Sequence, residues 1–354
     1  MNAQAVLAAL AVAALLAACG GSGTHNPPQT GVATIASVQP TAPPATTQPT
    51  RSTRAPTVQA LVTAETENRV LVVDLPSGRV VRSIALPPDP EDIAAPPSGG
   101  DVVVTSAASG KVTVLDRRSL RVLKVFGGFE SPHIVALSPD ARHAYVTDDT
   151  AGTLTVLDLA TLRETGTIRV GAGAHHVSFD ASLHRAWLAL GQSATTIVLL
   201  DTQHLDHPRV IGQFDPGFPV HDVEFTPNGR QAWVTSSGGP EVTVFDPATR
   251  RVLFRVPVGP GPQHVAFDGR YAYLTSGYGS SIEQVEAATG RVLARATAPY
   301  GSFELAAAHG YVVTSSLLRG TLAIYTPRLK LLRTVRLAPV AREVAISLPA
   351  GSPP

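Results

Sequence analysis

Residues 132–158 read PHIVALSPDARHAYVTDDTAGTLTVLD. Short β-branched runs such as 144–147 alternate apolar and polar side chains, as strands with one buried face do. The pair Pro139-Asp140 between runs supplies a turn. The pattern recurs along the chain. An apolar anchor stands at Ile93, Val135, Val177, Val223, Val265, Leu305 and Val344, spaced by 42, 42, 46, 42, 40 and 39 residues. A second marker runs in step: Thr63, Thr105, Thr147, Ala189, Thr235, Thr275 and Thr314. A third is an acidic residue closing a strand, at Asp74, Asp116, Asp158, Asp201, Asp246 and Glu286, with Thr326 in the seventh copy.

Each unit holds four such runs. Around Val177 they fall at 175–179, 187–190, 197–200 and 210–214. Four strands per unit of about 42 residues predict propeller blades, and the 3.6-residue period of helical repeats is absent. The expected fold is all-β, a seven-bladed β-propeller over 58–347 with four antiparallel strands per blade. The repeat opens near Val58 with a second strand and ends over 342–347 with a first one. The C-terminal strand should therefore complete the first blade and leave no open edge. Trp187, Trp233, Tyr145 and Tyr273 recur at one slot, as packing residues between blades.

The flanks differ in composition. Residues 5–18 are an unbroken apolar run of 14, too short to span a bilayer and suited to a signal peptide. Met1-Asn2-Ala3-Gln4 carries no positive charge. Residues 20–57 contain 7 Pro and 9 Thr but only Arg51 and Arg54 as charges. They predict a disordered stalk, 19–57, that carries the domain away from a surface. A short tail, 348–354, follows the propeller. With 28 basic and 27 acidic residues the net charge is +1, which disfavours binding nucleic acid by bulk electrostatics. One cysteine allows no disulfide framework and no cysteine-built metal cluster.

Two resemblances follow from these residues. Leu16-Ala17-Ala18-Cys19 resembles the lipobox of bacterial lipoproteins. It implies lipidation of Cys19, export, and anchorage to the outer face of the cytoplasmic membrane or elsewhere in the cell envelope. Ala144-Tyr145-Val146-Thr147-Asp148, Ala232-Trp233-Val234-Thr235-Ser236 and Ala272-Tyr273-Leu274-Thr275-Ser276 resemble the repeat of YVTN (YncE-like) β-propellers, with Asp148, Ser236, Ser276 and Ser315 where that motif has asparagine. The resemblance covers about 58–347 and specifies fold far better than function. The wider superfamily includes the propeller of nitrous-oxide reductase, whose copper cluster is held by histidines. This chain lacks that enzyme's second domain and cysteines, so only the idea of a metal-holding histidine ring is retained.

The loop into each innermost strand opens at one mouth of a propeller's channel. The two residues before each anchor should ring that mouth. One row is Glu91, His133, His175, His221, Gln263, Phe303 and Arg342. The other is Asp92, Ile134, His176, Asp222, His264, Glu304 and Glu343. Neighbours on a strand point opposite ways, so one row is expected to face the channel. The expected ligand site comprises Glu91, His133, His175, His176, His221, Asp222, His264 and Arg342. Within it Glu91, His133, His175 and His221 suit zinc, copper, iron or nickel. The competing role for these histidines is structural, each bonding a neighbouring loop. His143, His184 and His309 are placed in turns at the opposite face, and His204 and His207 in a surface loop.

No nucleophile elbow, His-Glu-x-x-His or phosphate loop occurs. The leading expectation is a monomeric, lipid-anchored module that binds a small molecule or an envelope protein. The alternative is a metal-dependent propeller enzyme of lyase or lactonase type.

Overall fold

The computed structural model describes residues 57–96, 100–116, 118–180, 184–191, 194–236 and 238–348. The signal segment, Cys19, the stalk up to Pro56 and the tail beyond Leu348 lie outside them. Among the described residues, twenty-eight strands, β1–β28 in chain order, form seven four-stranded antiparallel sheets. They belong to one unit, Arg54–Pro354. Blade 1 is assembled from both ends of the repeat. Its order is β28 (Val344–Ser347), β1 (Gln59–Ala64), β2 (Arg69–Asp74), β3 (Arg79–Ala85). Residues 59–62 of β1 pair with 344–347 of β28, which closes the ring. The innermost strands of blades 2–7 are β4 (Pro90–Ala94), β8 (Pro132–Leu137), β12 (Val177–Asp180), β16 (Val223–Phe225), β20 (Pro262–Asp268) and β24 (Ser302–Ala308).

The core lies between blades. Tyr145 and Leu154 of blade 3 pack with Val177, Leu188 and Leu200 of blade 4 in one buried cluster. Val62 and Ile346 of blade 1 share another with Val313 and Ile324 of blade 7. Trp187, Trp233, Tyr145 and Tyr273 are 0–1% exposed, and the Trp233 indole donates to Gln231 Oε1 (3.0 Å) while the two tyrosines reach into the next blade. Tyr145 donates to the Leu205 carbonyl (2.8 Å) and Tyr273 to the Pro327 carbonyl (2.9 Å). These aromatics are structural. The strand-closing acids cap turns: Asp158 accepts from the backbone of Ala160 (2.8 Å) and Thr161 (2.9 Å), and Asp246 from Thr249 (2.7 Å).

The repeated threonine has a second function beyond spacing. Thr235 Oγ1 accepts the Asp222 amide of its own blade (3.0 Å) and donates to the Gln263 carbonyl of the next (2.7 Å). Thr63 and Thr105 bridge their blades to the carbonyls of Glu91 (2.9 Å) and His133 (2.6 Å). Thr275 reaches Phe303, and Ser315 reaches Arg342 (2.5 Å). Among the described residues no hydroxyl at this slot crosses the seams on either side of blade 4, which Thr165 to the Asp206 carbonyl (3.0 Å) and the Phe225 amide to Ser178 Oγ (3.4 Å) span elsewhere. Thr147 turns back to Ile134 of its own blade (3.3 Å), and blade 4 has Ala189 at the slot.

Candidate functional site at the channel mouth

Both rows face the channel, which corrects the expectation of one. The cause is a β-bulge at the start of each innermost strand. In blade 3 Pro132 opposes Asp148 and Val135 opposes Val146, so three steps on one strand match two on the other. The same shift separates Pro90 from Ile93, Pro262 from Val265 and Ser302 from Leu305. In blades 4, 5 and 1 one residue bonds with both members of the pair. Ala189, for example, accepts from His175 (2.9 Å) and donates to His176 (2.8 Å). A bulge re-aims consecutive side chains toward one side.

The result is a channel with a waist. A vestibule of about 190 Å³ is lined by Glu91, His133, His175, His221, Gln263, Phe303 and Arg342, with Tyr278 and Leu317 at its edge. A wider cavity of about 630 Å³ lies beyond, bordered by Ser138, Glu224, Thr226 and Ala308. Asp92, Ile134, His176, His264, Glu304 and Glu343 line both spaces and form the waist. Tyr278 belongs to the glycine-rich loop 276–281. None of the described residues of loop 236–240 lines either space.

The histidines touch one another in a chain that crosses blades. Ring centroids are 4.3 Å apart for His133–His175, 4.4 Å for His175–His176 and 4.6 Å for His176–His264. His221 lies 5.4 Å from His175 and 5.2 Å from His176. Its Nε2 is 3.3 Å from Nε2 of His264. The Nδ1 atoms of His175 and His221 are buried with no hydrogen-bond partner. Most buried polar atoms in native proteins are satisfied; others here, such as Thr113 Oγ1, Gln263 Oε1 and Ser302 Oγ, also lack a partner, but these two stand together in one histidine cluster. Three sets of side chains each offer ligand atoms within 4.8 Å of one another: His133, Asp149 and His175; His175, His176 and His221; His176, Asp222 and His264.

Burial and charge divide the titrating groups. Burial, reinforced by neighbouring imidazoles, pushes His175 down to about 2 and His176 well below the usual value. Burial and the charge of His264 lower His221 to about 3. All three are neutral imidazoles, the form that binds metals. Burial alone would lower His264 too, but Glu304 (2.9 Å) and Asp222 (3.6 Å) hold it cationic, at about 10. His133 is likewise raised against burial by its contact with Asp149 (2.8 Å) and by Glu91. Burial raises Glu343 far above the carboxylate range, helped by Glu304 and Asp92. Burial opposes ionisation of Glu304, yet His264 pulls it down to about 2. Burial raises Asp92 to about 7 and Glu224 to about 8.

All eight expected site residues border one of the two spaces. Of the four suggested for a metal, His175 and His221 join His176 in the buried group, and His133 groups with Asp149. Glu91 belongs to none of the three groups. It pairs with Arg342 (3.2 Å), whose other arm holds Glu65 (2.9 Å). His143 opens the strand His143–Asp148 rather than lying in a turn, whereas His184 and His309 have the positive φ of turn residues. Sequence reasoning missed Asp149, Glu65, Glu224 and Tyr278. The doubled acid after Thr147 was the one available signal for Asp149. It also left Asp92, Glu304 and Glu343 out of the site although it placed them in the second row.

No protein-family model matches the chain, and no curated protein does. Solved structures match the fold. A functionally unknown protein from Desulfotomaculum acetoxidans superposes with a TM-score of 0.72 at 17% identity, over 82% of this chain and 99% of that one. Hydrazine synthase of Kuenenia stuttgartiensis gives 0.67 at 17%, over 76% and 92%. Apo AztD from Citrobacter koseri gives 0.67 at 10%, over 85% and 100%. At such identities the likeness extends to the seven-bladed architecture, and any function must be argued from the site.

Proposed function

We propose that this is an exported, lipid-anchored β-propeller of YVTN type whose channel mouth binds a first-row transition-metal ion, zinc, copper, iron or nickel. One observation carries the metal reading. His175 and His221 present buried, unpartnered Nδ1 atoms in a cluster with His176 whose ligand atoms lie within 4.8 Å of one another. Imidazole suits these ions. The envelope reading rests on the apolar run 5–18 ending at Cys19, and the neutral overall charge keeps nucleic acid out of the proposal.

The test is a titration of the purified full chain with Zn²⁺ or Co²⁺, repeated on His175→Ala/His176→Ala/His221→Ala. Loss of one or more bound ions in the triple variant is expected. Undiminished binding would refute the site. Separately, Cys19→Ser should move the protein from the membrane pellet to the soluble exported fraction, and retention in the pellet would remove the anchor.

A metal-dependent enzyme is the second reading, favoured by Asp92 and Glu224. Both carboxyls face the wider cavity and hold protons near neutrality, as general acids do. It predicts turnover in a lyase or lactonase screen that Glu224→Gln abolishes. A screen with no turnover leaves the binding module.

A further inference from the structure

The three candidate ligand sets overlap. His133 and His175 line the vestibule and Asp149 bonds His133 Nδ1 (2.8 Å), with His133 and Asp149 half-buried. His175, His176 and His221 are buried beneath them. His176, Asp222 and His264 are buried too, and these last three also border the wider cavity. His175 is common to the first two sets and His176 to the last two. The shared rings are 4.4 Å apart, and those flanking them lie 4.3 and 4.6 Å away. We infer that the mouth is a metal relay. An ion enters at His133, Asp149 and His175, passes through His175, His176 and His221, and comes to rest at His176, Asp222 and His264, where the opposite cavity can reach it.

This deepens the metal-binding proposal and rests on it. The physical reasoning is ligand sharing. An ion stripped of all its ligands inside a protein would carry a very large desolvation cost. A ligand common to two sites stays bonded while the others exchange, so that cost is never met in full. Charge gives the path a direction. The outer set has one carboxylate and the middle set none. The inner set has Asp222 and stands beside Glu304 (2.9 Å from His264). The inner end thus sets two carboxylates, Asp222 and Glu304, beside a divalent cation where the outer set itself has one. Ligation at the waist replaces the proton that His264 carries, as metal binding generally releases protons. No bond other than these coordinate bonds and that N–H bond is made or broken.

The experiment is stopped-flow binding of Co²⁺ to the full chain, whose visible absorption reports the ligand set, with chelator-driven release measured in the same samples. The outer variant His133→Ala/Asp149→Ala should slow loading and release together by roughly ten-fold, leaving Kd within about three-fold of the parent. His264→Ala should weaken Kd by roughly ten-fold or more while loading keeps its rate. Asp149→Asn, at the half-buried lip, guards against a folding defect and should slow loading in the same direction. Outer variants that load as fast as the parent would overturn the relay, as would outer variants that lose as much affinity as His264→Ala. In both outcomes parent Co²⁺ binding at equilibrium leaves the metal site standing. Absence of parent binding defeats the site itself.

Discussion

Thr235 shows how much one hydroxyl can do. Its two hydrogen bonds join the Asp222 amide to the Gln263 carbonyl across a blade boundary. Valine has nearly the same shape and neither bond, so Thr235→Val strands two buried backbone groups. It should cost about 1–3 kcal/mol, read as a lower denaturant midpoint with an unchanged slope. A midpoint equal to the parent's would show that the bridge adds nothing. Glu91→Gln should leave metal affinity within about three-fold of the parent, because Glu91 belongs to no ligand group and its nearer partner is Arg342 (3.2 Å), with His133 at 3.7 Å. A ten-fold loss would restore it to the metal set. The sequence shows a threonine at a fixed spacing, but its acceptor lies 28 residues onward in another blade. The roles of Glu91 and Asp149 are hidden for the same reason, since pairing across blades has no local signature. The histidines were legible because five of the chain's eleven fall in fourteen equivalent positions.

Strands and turns were the most legible elements. Alternation, anchor spacing and closing acids all depend on neighbours along the chain, and the strand around Ile197 falls where it was expected, at Ile197–Asp201. The bulge before each anchor was not legible, because it is a property of a strand pair. That is why two rows face the channel instead of one. The closing acids make a pH prediction. Backbone amides at Thr161, Gln203 and Thr249 hold Asp158, Asp201 and Asp246 below their usual value of 3.8. A depressed folded-state pKa contributes stability that is present above 3.8 and lost as pH falls through the lower folded values. Each turn is exposed, so each contribution is small and screened. Asp246→Asn should lose less stability than the parent between pH 5 and pH 3. Parallel acid-stability curves would exclude the effect. In the packing between blades, Trp233 is 0% exposed, and Trp233→Ala should cost about 3–5 kcal/mol.

At the scale of the whole molecule, the ring has no terminal blade. β1 is flanked by β2 and by β28, which arrives from the far end of the chain. Ending the chain at Ala341 would remove β28 and expose the backbone of β1 as an edge. Such a truncation should melt less cooperatively and associate in solution. A chain opened instead at the loop between blades 4 and 5, with its old ends joined, should keep a single transition. If the truncated chain matches the parent in melting and size, closure is dispensable. The unequal stitching of the ring has a further consequence. Hydroxyls at the threonine slot bridge five seams, whereas the two seams of the blade that carries His175 and His176 are crossed away from the slot, by Tyr145 to the Leu205 carbonyl (2.8 Å) and Thr165 to the Asp206 carbonyl (3.0 Å) on one side and by the Phe225 amide to Ser178 Oγ (3.4 Å) on the other. Fluctuations need not be spread evenly around a ring built of similar units. At the channel end they concentrate where no slot hydroxyl spans the seam. The His176 amide should therefore exchange with deuterium sooner than its counterparts at Asp92, Asp222 and Glu343, whose amides end on a threonine oxygen. Blade 4 would then be the part of the rim that breathes, and the shared histidines would ride on it.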